Sequence, residues 1–200
     1  MLDCLPCGCN AIDLLLGGGF EAGIITQIYG ESGTGKSNIA MQLAVQAVSR
    51  GLRVIFIDTE GFSGERFKQI AGPGAEEMAK KIMVFEPMSL EQQAIAIRES
   101  SRIAGKDLGL VILDSATSLY RVLLEAEDNR TIRRTLNLQL SELQEMARRH
   151  RIGKGLEHMC KAIILLEKRG EGLRRARLVK HRSAPEGLTA DFRLTARGVE

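Results

Sequence analysis

The stretch IITQIYGESGTGKSNIAMQLA, residues 24–44, decides the fold. Its first six residues are apolar and β-branched enough to read as a buried strand, and Ala40, Leu43, Ala44, Ala47 and Val48 then recur at helical spacing up to Gly51. Between them, GESGTGKS at 30–37 fits G-x-x-x-x-G-K-[ST] in full. The glycines let the backbone turn so that successive N–H groups point inward at phosphates, and the following helix adds its positive end. Lys36 is placed to reach the β- and γ-phosphates and the Ser37 hydroxyl to ligate Mg²⁺. The candidate nucleotide-binding residues are therefore Gly30, Glu31, Ser32, Gly33, Thr34, Gly35, Lys36, Ser37 and Asn38, with Lys36 also catalytic and Ser37 also a metal ligand. The expected cofactors are ATP and Mg²⁺.

Outward from this stretch, RVIFI (53–57), KIMVF (81–85) and LVIL (110–113) read as further strands covered on both faces, because their apolar runs are continuous rather than alternating. Helical patterns at 90–103 and 131–149 separate them, the second with Ile132, Leu136, Leu140, Leu143 and Ala147 along one stripe. Such alternation predicts an α/β fold of P-loop type, a mostly parallel central sheet flanked by helices. LRRARLVKHR and ADFRLTARG, joined by the SAPEG turn, predict antiparallel strands at the C-terminal end. One feature disturbs the rhythm. After ARRHRI a buried strand is due, yet the chain passes directly to GKGLEHMC and only then to KAIILLEK.

Two carboxylate segments supply the remaining chemistry. LVILD ends a strand in Asp114, placed to hold Mg²⁺ through a water. IFIDTEG ends the strand after the phosphate-loop helix, so its tip falls near the ligand crevice. There Glu60 is the candidate base that orients and deprotonates a water attacking the γ-phosphate, with Asp58 structural.

The 200 residues suit one domain, with 44% apolar and 26% charged residues. No apolar run is long enough to span a membrane and MLDCLPCGCN lacks the pattern of a signal peptide, so a cytoplasmic location without membrane partners is expected. Cys4, Cys7, Cys9 and Cys160 do not form the two separated pairs of a structural zinc site and read as free thiols. Net charge is +3, but between Arg148 and Arg182 twelve Lys and Arg face three Glu, an excess of +9 that leaves −6 for the rest. Such a block is either a solvated face or a footprint for a phosphate backbone.

LPCGCNAIDLLLGGGFEAGIITQIYGESGTGKSNIAMQLA, VIFIDTEGFSGERF and LVILDSATSLYR together resemble the RecA-like ATPase core of archaeal and eukaryotic strand-exchange recombinases. The closing LRRARLVKHRSAPEGLTADFRLTARGVE resembles a short archaeal paralogue group of that family. The resemblance covers nearly the whole chain and implies a single RecA-like core domain over 1–200, with Glu60 as catalytic glutamate and Asp114 as the metal-side carboxylate. It also marks departures. No helix-hairpin-helix DNA-binding domain precedes the core, and Cys7 stands where Thr or Ser is usual. The family's strand ending in an Asn-Gln pair that senses the γ-phosphate, with the DNA-contacting loop after it, is missing between Ile152 and Gly153. Either the chain dispenses with both or the sequence in hand omits them.

The expected function is an ATP-binding, DNA-binding protein of homologous recombination and DNA repair. It would have weak or DNA-dependent ATPase activity and assist or modulate a recombinase. Arg174, Arg175, Arg177, Lys180 and Arg182 are the candidate contacts to DNA, expected to be single-stranded. The expected partners are a recombinase or other repair protein and a further copy of the chain, in which Lys180, Arg182 or Glu186 completes an ATP site in trans. The alternatives are a nucleotide-switched adaptor with negligible hydrolysis and a KaiC-like ATPase.

Overall fold

The computed structural model describes residues 3–120, 129–150 and 160–200. The glycine-rich octet lies between β3 (Thr26–Gly30) and α2 (Lys36–Ser49). Before them come β1 (Cys4–Leu5), α1 (Asn10–Leu15) and β2 (Phe20–Glu21), with β1 and β2 forming a small antiparallel pair. α2 stops where Gly51 takes φ +84 and the Leu52 N–H reaches back to the Ala47 carbonyl, a left-handed cap that only glycine adopts cheaply. The chain then crosses to β4 (Arg53–Asp58).

Next come α3 (Gly64–Ala71), α4 (Ala75–Ala79), β5 (Ile82–Phe85), α5 (Leu90–Arg102) and β6 (Leu108–Asp114). Ser63 caps α3 and Ser89 caps α5, each hydroxyl accepting a backbone N–H at 3.2 Å. α6 (Asn129–His150) follows, and β7 (Ala162–Lys168), β8 (Leu173–His181), β9 (Thr189–Thr195) and β10 (Gly198–Val199) complete the order.

Besides the β1–β2 pair, the described residues form two larger hydrogen-bonded sheets. One runs β5-β4-β6, parallel throughout; the other runs β10-β9-β8-β7-β3, parallel at β3–β7 and antiparallel from β7 outward. Alternate strand residues feed two cores. Val54, Phe56, Leu110, Ile112, Ile164 and Leu166 pack with α2 on one face, while Ile25, Ile55, Ile57, Val111 and Ile163 pack with α5 and α6 on the other. The stripe expected on the long helix is the buried one, with Leu143 and Ala147 fully enclosed. Gln139 joins α6 to α5 by accepting from Gln93 and donating to the Leu90 carbonyl.

β5 departs from expectation. Its run reads as doubly covered, yet Met83 and Val84 are exposed, because β5 is the outermost strand of its sheet among the described residues. The break between Ile152 and Gly153 lies outside the described residues. Among those described, no hydrogen bond joins β6 to β3, so the two sheets remain separate. No described helix is long and apolar enough to cross a membrane.

Candidate functional site

The loop at 30–37 is held by its surroundings as well as by its glycines. A Cβ on Gly30 (φ +152) would come within 2.3 Å of the Leu166 carbonyl oxygen on β7, and one on Gly35 (φ +102) within 2.7 Å of Leu194 Cδ2 on β9. A side chain at position 30 would require β7 to move, and one at position 35 would displace the Leu194 side chain and strain the backbone at its positive φ. Thr34 is fully buried and its Oγ1 donates to the Glu31 carbonyl (2.8 Å), closing the loop from inside. Glu31, Ser32 and Gly33 stand exposed on the rim. Gly35 starts α2 without a side-chain cap, leaving the first-turn N–H groups aimed into the loop. Lys36 Nζ donates to the Gly30 and Glu31 carbonyls at 2.9 and 3.0 Å, so the ammonium already sits in the mouth of the cradle.

The carboxylates arrive from β4 and β6, whose last residues, Asp58 and Asp114, are directly paired. Ser37 lies near enough to Asp114 to act on its carboxyl, bringing together the hydroxyl and carboxylate expected to hold a divalent cation. Burial raises the Asp114 carboxyl above its usual value, and Glu60 and Asp58 push the same way, while Ser37 and Lys36 pull it down. Glu60 Oε1 accepts the Ser115 hydroxyl at 2.8 Å. Thr59 ties the two strand ends together: its N–H donates to the Asp114 carbonyl (2.8 Å), and its Oγ1 accepts the Ser115 N–H (2.9 Å). Asp58 is buried and spends Oδ2 on the Gly61 N–H (2.8 Å), shaping the turn that presents Glu60. Lys36, Glu60, Asp114 and Ser115 thus line one cavity of about 440 Å³, with Ser37 beside Asp114. A hydroxyl, a carboxylate and a nearby ammonium are a donor set suited to Mg²⁺ beside phosphate.

Asn38, the last of the candidate nucleotide-binding residues, accepts from Arg66 Nε at its Oδ1. Arg66 also donates to the Thr195 and Ala196 carbonyls at 2.7 and 2.8 Å, so it clamps the first turn of α2 to the end of β9. The sequence carries no local signal for Arg66, since its carbonyl partners lie more than a hundred residues away. Asp13 is a second missed residue: its carboxylate accepts the Cys7 and Gly8 N–H groups and orders the CLPCGC loop. None of the four cysteines is in a disulfide, and Cys7, Cys9 and Cys160 are buried.

The five basic candidates do not share one face of the sheet. Along β8, successive side chains alternate faces, so Arg174 and Arg175 point apart. Arg174 Nε donates to the Gly33 carbonyl (3.1 Å), which turns it onto the phosphate loop. Arg175 makes a bidentate pair with Asp191 (2.7 and 2.8 Å), and Arg182 pairs with Glu21. Arg177, which is exposed, and Lys180 form no ion pair among the described residues.

A family model described as Rad51 matches residues 2–157. A protein named DNA repair and recombination protein RadB, from Methanococcoides burtonii, is 48% identical over 214 aligned positions, covering 96% of this chain and 95% of its own. A second of that name, from Archaeoglobus fulgidus, is 41% identical over 221 positions, covering 98% and 97%. A solved structure described as the RadB recombinase superposes with a TM-score of 0.86 at 34% identity, covering 98% of each chain.

Proposed function

The chain belongs to the Rad51 family, resembling its RadB members over nearly its whole length, and from that premise we propose that it binds ATP and DNA to assist or modulate a recombinase in recombination and repair. The single observation that supports nucleotide turnover is the meeting of Lys36, Asp114 and Glu60 in one cavity, with Ser37 beside Asp114. Ser37 and Asp114 would hold Mg²⁺, whose chemistry is to draw charge from the β- and γ-phosphates. Gly30 to Ser37 hold the phosphates through backbone N–H groups and the Lys36 ammonium. Glu60, steadied by the Ser115 hydroxyl, accepts the proton of the attacking water. DNA contact falls to Arg177 and Lys180, since Arg174, Arg175 and Arg182 are engaged within the fold. The protein works in the cytoplasm alongside a recombinase or other repair protein.

The test is ATP hydrolysis with Mg²⁺, with and without single-stranded DNA, for wild type and Glu60→Gln. Turnover should rise with DNA and fall by about 10²–10⁴-fold in the variant. ATP binding without turnover, unchanged by DNA, would replace the enzyme with a nucleotide switch.

A further inference from the structure

The hydroxyls of Thr59, Ser115 and Ser118 form a hydrogen-bonded chain that ends on Glu60, and their protons fit together in one way. Ser115 Oγ accepts the Ser118 N–H at 3.2 Å, so its own proton is the one that Glu60 Oε1 receives at 2.8 Å. Thr59 Oγ1 accepts the Ser115 N–H at 2.9 Å and lies 2.8 Å from the Ser115 carbonyl oxygen. A carbonyl can only accept, so the single Thr59 proton goes there. Ser118 Oγ also reaches Thr59 Oγ1, and with the Thr59 proton already placed, Ser118 is the donor. The Thr59 hydroxyl is then filled, with one proton given and two received.

The chain of bonds closes on itself. Thr59 and Glu60 are neighbours in sequence and both hold residue 115, Thr59 by its backbone N–H and carbonyl, Glu60 by its hydroxyl. The Thr59 N–H also donates to the Asp114 carbonyl at 2.8 Å. One oxygen of Glu60 is thereby tied to the residue that follows Asp114, and Ser115 cannot turn away without breaking its bonds to Thr59. Glu60 is exposed, a setting in which a long side chain keeps most of its rotamer freedom unless something holds it. We propose that Thr59 and Ser118 are positioning residues for ATP hydrolysis, which fix the Ser115 hydroxyl so that its proton holds the Glu60 carboxylate beside Asp114. This role rests on Glu60 being the base. Ser115 and Glu60 line the cavity, whereas Thr59 and Ser118 lie behind that lining, so they act on turnover through Glu60 and not on the binding of ATP. Displacing a reacting group by 1 Å costs on the order of 10²-fold in rate, which makes such bracing consequential.

The test compares Thr59→Val, which keeps the side-chain shape without the hydroxyl, with Thr59→Ser, which keeps the hydroxyl. Thr59→Val should lower kcat by about 10–100-fold and leave affinity for a non-hydrolysable ATP analogue within about twofold. Thr59→Ser should restore kcat to within about threefold of wild type. Ser118→Ala, at the far end of the chain of bonds, should lower kcat by about 3–10-fold. On the residual turnover of Glu60→Gln, adding Thr59→Val should cost nothing further, because it acts through a group already lost. Without nucleotide, exchange of the Ser115 amide should quicken by about tenfold or more in Thr59→Val and keep its wild-type rate in Thr59→Ser. A full further loss in the Glu60→Gln background, an equal loss of nucleotide affinity, or unchanged Ser115 exchange would overturn the positioning role. Wild type without turnover overturns the base and this role together. Turnover lost in Glu60→Gln but kept in Thr59→Val overturns this role alone.

Discussion

The loop at 30–37 and strand β8 lie against each other, yet they place their chemistry in opposite ways. The loop presents backbone N–H groups, fixed by φ values at Gly30, Gly33 and Gly35 that neighbouring residues enforce. β8 presents long side chains whose destinations depend on whatever lies within reach, so Arg174, Arg175 and Arg177 end in three different surroundings within four residues. A backbone motif carries its function in its spacing. A basic run carries only its charge, and the fold decides where each charge is spent.

Five variants break or sharpen this contrast. Lys36→Ala removes the loop's one charged ligand and should weaken ATP binding by about 10–100-fold, read by isothermal titration. Arg174→Ala tests whether the loop depends on β8. Losing its bond to the Gly33 carbonyl should weaken ATP binding by about 2–10-fold and leave the salt dependence of DNA binding unchanged.

Asp114→Asn should raise the melting temperature of the nucleotide-free protein at pH 7 by about 2–4 °C while abolishing the benefit of Mg²⁺ to ATP binding. The sign follows from burial, which holds the folded carboxyl above its unfolded value. The folded chain binds that proton more tightly, so stability falls as pH rises from the unfolded value through the folded one. The difference between the two proteins should therefore vanish toward acid, as a pH series of thermal melts would reveal. The smallest effects belong to the surface. Changing Arg177 and Lys180 together to Ala should flatten the log-log salt slope of single-strand binding by roughly 0.7 per lost contact. Arg175→Ala should leave that slope alone and cost about 0–1 kcal/mol in urea denaturation.

Much of the architecture is legible in the sequence, for a local reason. Runs such as 54–57 and 110–113 are apolar throughout because both faces are covered, and GESGTGKS encodes its own geometry. Legibility fails where a property belongs to the assembled sheet. The run at 81–85 is as apolar as its neighbours, but its outer position is set by strand order. Arg174 meets Gly33 across 141 residues and Arg66 meets Thr195 across 129, distances at which no spacing rule operates. Within the site, the pattern pointed to Glu60 and Asp114, but it gave no hint of Thr59 and Ser115, whose hydrogen bonds tie the two strand ends together.

The pairing of Thr26 with Ala162 has a consequence in time. β3 carries the phosphate loop, yet its hydrogen-bonded neighbour is β7, which is made after nearly everything else. During synthesis the loop therefore waits, without the strand that Gly30 leans on, until the chain has passed residue 168. Pairings so distant in sequence form slowly, so the nucleotide site is among the last features of the molecule to mature.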